Sequence, residues 1–371
     1  MSSPDSFVWI SRLRSHNRVI SSFSVLIAVF GLTGSCSRPD AHGSDRVPVP
    51  HACQADEVGS GTTVALLGTA GGPILRRSRS QPASLLTVND VSYLVDAGDG
   101  AASQLTKAGV AIPQIRHIFL THLHADHVAG LAPLLLFAWT SAAAHPMTIY
   151  GPPGTKQLLN AGLSYIETPV DIHRLQYPPV PMPKELFSAE EPTLREGVDS
   201  SLIYQDESVS VYAVENTHYT TMPQVARAYG IDRSYSYRFD TPDRSVVFSG
   251  DTGQSDALVA LAKDADILVK NYRTGALSSL EVIDLDRQID VIRSMTDLPD
   301  EKLAVVIEHM EREHISPEQI GLLAEEASVG QVILTHIVPG LDGEQDTSRY
   351  SEGVRKHYSG PVHPAVDFDC F

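Results

Sequence analysis

Apolar positions along this chain fall into two rhythms, one of strands and one of helices. Thr63–Gly68 reads as a buried strand that ends in the turn-forming run Gly68-Thr69-Ala70-Gly71-Gly72-Pro73. Ala83–Val88 and Ser92–Asp96 read as a hairpin turned at Asn89-Asp90. Gly100–Ala108 reads as a short helix, Arg116–Leu120 as a strand and Val128–Thr140 as an apolar helix. Thr148–Tyr150 is a further strand, closed by Gly151-Pro152-Pro153-Gly154, and Thr155–Leu163 a further helix.

The second half repeats this layering without repeating the sequence. Val209–Val214, Ser234–Asp240, Ser245–Ser249 and Ile267–Val269 read as strands, and Asp256–Ala262 as a helix. Leu280–Thr296 and Glu301–Glu313 read as two helices of an excursion. Ser316 is placed to cap a helix over Pro317–Ala327, and Gln331–Thr335 is the last strand. Strands and helices that alternate in two halves predict an α/β protein, an αββα sandwich of two mixed sheets with helices on the outer faces.

The first 60 residues do not share this pattern. Arg12, Arg14 and Arg18 precede an apolar run over Val19–Leu32, then small residues, then Cys36. A basic start, a short apolar stretch and small residues are the order of a secretory leader, and the stretch is too short and serine-broken for a membrane span. We therefore expect residues 1–36 to be a leader ending at a lipidated Cys36, with plain secretion as the alternative. Residues 37–60 are polar and read as a tether, and 61–371 as the folded domain. The protein is then expected outside the cytoplasm, in the periplasm, on the membrane only through its lipid. Cys53 and Cys370 remain, and an even count in an oxidising compartment predicts one bridge between them.

Charge narrows the partners. The 371 residues carry 45 acidic against 28 basic side chains, a net charge of −17. Phosphate backbones are bound by clustered lysine and arginine, so no nucleic-acid partner is expected, and the substrate should be a small molecule.

The chemistry concentrates in Thr121-His122-Leu123-His124-Ala125-Asp126-His127. Single histidines are ordinarily surface or core residues. Three imidazoles and a carboxylate within six positions, directly after an apolar strand, are costly to bury unless a cation offsets the desolvation. Imidazole nitrogen and carboxylate oxygen are the donors zinc takes, and manganese or iron accept the same mixture.

This stretch resembles the H-x-H-x-D-H signature of the metallo-β-lactamase superfamily, and the likeness runs on in order. Gly68–Pro73 resembles its first Gly-rich turn, and Asp96-Ala97-Gly98-Asp99-Gly100 its D-x-G-x-G turn. His218 follows the strand Val209–Val214, Ser249-Gly250-Asp251-Thr252 resembles the G-D-T turn, and Thr335-His336 ends the last strand. The resemblance implies two divalent ions: a first on His122, His124 and His218, a second on Asp126, His127 and His336, with Asp251 bridging. Two ions sharing Asp251 would also share a water and bring it toward hydroxide near neutral pH.

Within the superfamily, Gly151–Thr155, Tyr237-Arg238 and the segment His314-Ile315-Ser316 are similar to the ribonuclease Z-like branch. There a histidine at the place of His314 contacts the scissile phosphate and passes a proton, and Asp126 would orient the nucleophile as well as bind metal. Two departures stand out. Lys270-Asn271 replaces the branch's His-Glu, so a neutral amide stands where a carboxylate would orient His314. The segment between Gly154 and His218, which carries Glu185, Glu190, Glu191, Glu196, Asp199, Asp206 and Glu207, shows no counterpart of the branch's basic RNA-gripping arm. The expected activity is metal-dependent hydrolysis of a small phosphodiester rather than tRNA processing. Hydrolysis of a lactone, carboxylic ester, aryl sulfate or β-lactam is the alternative, and a non-catalytic metal-binding lipoprotein the alternative of another class.

Overall fold

Alternate residues of the central strands belong to different apolar layers, and this splits the chain into a sandwich. The computed structural model describes residues 61–141, 145–176, 181–195, 199–263, 265, 277–283, 285–295, 299–344 and 346–371. Six strands form one sheet in chain order: β1 (Thr62–Gly68), β2 (Ala83–Val88), β3 (Val91–Val95), β4 (Ile115–Phe119), β5 (Met147–Tyr150) and β6 (Phe187–Glu190). Seven form the other: β7 (Ser201–Gln205), β8 (Ser210–Glu215), β9 (Tyr235–Asp240), β10 (Ser245–Phe248), β11 (Leu277–Ile283), β12 (Gln331–Val338) and β13 (Val362–Pro364). Each sheet starts antiparallel and turns parallel, at β3/β4 in the first and at β10/β11 in the second.

The layers follow from the two-residue period of a strand. Val64 and Leu66 of β1, Tyr93 and Val95 of β3, Phe119 of β4, Tyr237 and Phe239 of β9 and Val246 and Phe248 of β10 meet in the layer between the sheets. Their sequence neighbours face outward. Ala65, Leu67, Leu94 and Ile118 pack with the helices of the first half, α1 (Ala101–Lys107), α2 (Ala125–Val128), α3 (Leu131–Thr140), α4 (Thr155–His173) and α5 (Pro183–Leu186). Val247, Val332 and Leu334 pack with helices of the second half, α6 (Asp256–Ala262), α7 (Leu285–Met295), α8 (Asp300–Glu313), α9 (Pro317–Glu326) and α10 (Ser348–Arg355) being its full set among the described residues. The expected αββα sandwich is the fold.

Several elements differ from the sequence reading. The helix expected over Val128–Thr140 is broken into α2 and α3 at Gly130, where a side chain would strike the Gly98 carbonyl at 2.0 Å. Helix α4 runs ten residues beyond Leu163 and carries Pro169 inside it, with Ile166 and Val170 buried against the outer layer. The start of the helix expected over Leu280–Thr296 is instead β11, paired in parallel with β10 and β12, and α7 begins only at Leu285. The strand expected at Ile267–Val269 lies outside the described residues, as do Lys270-Asn271, Cys53 and the leader and tether. Cys370 is disulfide-bonded; beside it Phe371 exchanges backbone hydrogen bonds with Val64, and the Asp369 carbonyl accepts from Leu66 N, along the outer edge of β1.

Candidate metal centre

Each chemical segment leaves the carboxyl end of a strand: Asp96 after β3, the histidine-rich stretch after β4, His218 after β8 and Asp251 after β10. This is where open α/β sheets present their loops to ligands. Tyr237 of β9 donates its phenolic hydrogen to the Leu120 carbonyl at 2.7 Å, and Tyr235 donates its backbone N–H to Thr121 O at 2.8 Å. The second sheet thereby grips the base of the histidine loop of the first. At Gly250 the backbone takes a φ of 59°, and a side chain there would meet Thr121 at 2.8 Å. Glycine satisfies both demands.

His336 does not end its strand, as expected from the sequence, but sits within β12 as a bulge. Thr335 pairs with Glu281 and Ile337 with Val282, which leaves His336 unmatched, at a φ of 49°. A bulge turns one side chain out of register, and a left-handed histidine is an uncommon conformation kept where the surroundings demand it. Gly71 makes the room: a side chain on it would lie 2.5 Å from His336 Nδ1.

The structure brings all seven predicted donors into two sets. His122, His124, His218 and Asp251 form one, Asp126, His127, His336 and Asp251 the other, with the donor atoms of each set within 4.8 Å of one another. In the first set His122 Nε2 and His218 Nε2 lie 3.2 and 3.1 Å from His124 Nδ1. Nitrogens on a tetrahedral zinc stand roughly 3.3–3.4 Å apart, given bonds of about 2.0–2.1 Å. In the second, His336 Nε2 lies 3.2 Å from Asp126 Oδ2, and His127 Nε2 lies 3.6 Å from the same oxygen. Asp251 belongs to both: its Oδ2 is 3.7 Å from His122 Nε2, 3.9 Å from His218 Nε2 and 3.3 Å from His336 Nε2, and its Oδ1 is 3.2 Å from His127 Nε2.

The outer partners decide which nitrogens face inward. His218 donates from Nδ1 to the Glu313 carbonyl at 2.9 Å, and His127 from Nδ1 to Asp96 Oδ2 at 2.9 Å. A neutral imidazole that donates from one nitrogen presents a lone pair at the other. Nε2 of His127 is buried without a hydrogen bond, and it points among carboxylate oxygens. A lone pair facing carboxylates calls for a cation between them: a proton, or a metal ion. The residues present fit divalent ions in both sets.

Electrostatics follow the same logic. Burial alone would depress His127, yet Asp251, Asp96 and Asp126 hold it well above the usual histidine range. Burial drives His122 well below that range, and charge on His127 adds to the effect. Burial would raise both carboxyls, but His127 and His336 bring Asp126 down to about 2, and His336, His127 and His122 hold Asp251 well below the usual carboxylate range.

Some site residues escaped the sequence reading. Asp96, itself at a φ of 59°, accepts from Thr121 N, Thr121 Oγ1 and His127 Nδ1, so one carboxylate orients both ends of the histidine loop. Its turn motif was visible, its partners were not. Tyr219 stacks on His218 at 5.0 Å and meets the rings of His122 and His124 edge-on. His314, half-buried at the end of α8, belongs to neither donor set; its ring lies 5.0 Å from His218 and 6.5 Å from His336, between the two. The capping box of Ser316 and Gln319 starts α9 directly after it. Other histidines have aromatic neighbours instead: His117 lies against Tyr204, His173 against Trp139 and His363 against Phe371.

Two sheets, their carboxyl-end loops and a paired histidine–aspartate cluster define a metallo-β-lactamase-fold hydrolase. The β-lactamase superfamily domain matches residues 92–337, and the chain belongs to that superfamily, in its ribonuclease Z-like branch. A ribonuclease Z of Mycolicibacterium gilvum (strain PYR-GCK) is 30% identical over 296 residues, 79% of this chain and 90% of that protein. One from Mycobacterium sp. (strain KMS) is 29% identical over 285 residues, 76% of this chain and 86% of its own. The crystal structure of the short form of human tRNase Z shares the fold with a TM-score of 0.55 at 22% identity, over 83% of this chain and 98% of that one.

Proposed function

We propose that this hydrolase acts on a small phosphodiester with two divalent metal ions, zinc in the first instance. The observation that carries the reading is Asp251, whose two oxygens face both donor sets at 3.2–3.9 Å. His122, His124 and His218 would hold one ion, Asp126, His127 and His336 the other, and Asp251 would bridge them. Divalent ions there supply Lewis acidity, which acidifies water and offsets negative charge on the attacked oxygen. Asp126 orients the attacking water, and His314, beside both sets without belonging to either, gives its proton to the leaving oxygen. Asp96 and the Glu313 carbonyl keep His127 and His218 in the tautomers that face inward.

RNA is the substrate that the relatives' names suggest, and it stands against the expectation of no nucleic-acid partner. The charge of −17 favours the small substrate, because a polyanion gains affinity from counterion release only at clustered cations. Some acids of the segment after Gly154 have structural duties: Glu191 accepts from the backbone N–H groups of Gly154 and Lys156 at the start of α4, and Asp206 accepts from Tyr93 and Tyr204.

Metal-loaded protein assayed on bis(p-nitrophenyl) phosphate, p-nitrophenyl acetate, a lactone and a precursor tRNA separates the readings. The diester should be turned over fastest of the small substrates, and the tRNA left intact. Cleavage of the tRNA at low enzyme concentration, or turnover of the carboxylic ester or lactone alone, overturns the proposal.

A further inference from the structure

A hollow open to solvent on one side adjoins the first donor set. It has a volume of about 170 Å³; Leu123, Pro153, Tyr219, Met222 and Tyr229 line it beside His124, and the loop between β8 and β9 adds the charged side chains of Arg227, Asp232 and Arg233. Tyr219 is common to the two: it packs against the rings of His218, His124 and His122, and it walls the hollow. An occupant of the hollow therefore sits next to whatever is held at the histidines.

The Gly-Pro-Pro-Gly turn keeps this space open. Gly154 has a φ of 101°, and a side chain on it would come to 2.9 Å from Leu123 Cδ1 and 3.2 Å from the Tyr229 ring. The charged side chains of the lining are already paired. Arg227 Nε lies 2.8 and 3.0 Å from the two oxygens of Asp232, which also accepts from the Tyr229 phenol at 2.7 Å, and Arg233 is paired with Glu215. An anionic occupant would have to compete with Asp232 and Glu215 for the two arginines, and a bare ammonium with Arg227 for Asp232. Aromatic and aliphatic walls instead favour a flat apolar group, through burial of its surface and ring–ring contact. Benzene fits a space of about 150 Å³, so the volume suffices for one ring.

We infer that this hollow is the specificity pocket for an uncharged aryl substituent of the substrate, which fixes the substrate class as aryl esters of phosphate or a related acid. The inference rests on the hydrolase reading for what lies at the histidines, and its test does not depend on turnover. The probes are phenylphosphonate and methylphosphonate, which carry the same anionic head and differ in the group offered to the hollow. Calorimetric titration of the metal-loaded full chain should give phenylphosphonate at least tenfold tighter binding. Met222→Trp, which fills the space, and Tyr229→Ala, which removes a wall, should each bring that ratio below about threefold while metal content and melting temperature hold. Tyr229→Phe, which keeps the ring, should retain most of the preference. A ratio near one in the wild-type protein, or one unchanged by both Met222→Trp and Tyr229→Ala, overturns the inference. The hydrolase reading is judged separately by the diester assay: a protein that prefers phenylphosphonate yet cleaves no diester keeps the pocket and loses the reaction.

Discussion

Asp96 Oδ2 accepts a hydrogen bond from His127 Nδ1 at 2.9 Å, across 31 residues of sequence. The same carboxylate accepts from Thr121 N at 2.8 Å, so it sets both the start of the histidine loop and the ring at its end. An orienting carboxylate of this kind raises the donor strength of its imidazole and fixes the tautomer.

Asp96→Asn tests that role without a large backbone change, because asparagine tolerates the left-handed φ of 59° at this position. The amide keeps one acceptor oxygen and loses the charge. Metal affinity at the Asp126, His127 and His336 set should fall by about 10–100-fold, and less at the other set. Competition with a chelator of known affinity measures both, and unchanged affinity at the second set refutes the role.

Asp251 and His122 differ in how many donor sets they enter. Asp251→Ala removes an oxygen from each set, so metal content should fall well below two per chain. His122→Ala removes a nitrogen from one set and should leave close to one ion, on Asp126, His127 and His336. Elemental analysis of the folded variants distinguishes the two. If both variants lose the same amount of metal, Asp251 is not shared.

Much of this site was legible because its donors stand at strand ends. An apolar strand followed by histidines announces itself by hydrophobic alternation that stops at the first donor, as at Phe119-Leu120-Thr121-His122. What was not legible depends on contacts distant in sequence. Nothing local says that His336 takes a left-handed bulge, since the cause is its packing against Gly71, 265 positions earlier by residue number. The end of α4 was hidden by Pro169, which reads as a helix breaker, while burial of Ile166 and Val170 holds the helix together around it. Leu280 to Ile283 read as helical, yet β11 is a strand because β10 and β12 flank it with open parallel edges.

Asp206 offers a pH test remote from the metals. Burial would raise its carboxyl, but hydrogen bonds from Tyr93 and Tyr204 and from the Ser208 and Val209 amides hold it below its ordinary value of 3.8. A folded pKa below the unfolded one means stability that is present above pH 3.8 and is lost as pH falls through the folded value. Asp206→Asn should therefore destabilise at pH 7, by about 1–2 kcal/mol for charge-assisted bonds at a half-exposed site. The deficit should narrow as the pH drops below 3.8. Urea unfolding of both proteins across this range measures it, and a deficit that does not vary with pH would assign the effect to packing instead of charge.

His314 lies 5.0 Å from the His218 ring and 6.5 Å from the His336 ring, outside both donor sets, and this makes it the test of chemistry as opposed to fold. If it donates the leaving-group proton, His314→Ala should keep both metal ions and the melting temperature of the parent. Its turnover should fall by about 10²–10⁴, the usual contribution of a positioned acid. If Asn271 stands where the sequence resemblance implies an orienting carboxylate, the loss should lie at the low end of that range. The loss should be largest for alkoxide leaving groups, which cannot depart without a proton, and should shrink for p-nitrophenolate, which can. Rates across a series of leaving groups therefore give a steeper dependence on leaving-group pKa in the variant than in the parent. A variant that loses a metal ion makes His314 a ligand. One that hydrolyses an alkyl diester at the parental rate removes it from the reaction, and the phosphodiesterase reading then stands on the metal donors alone.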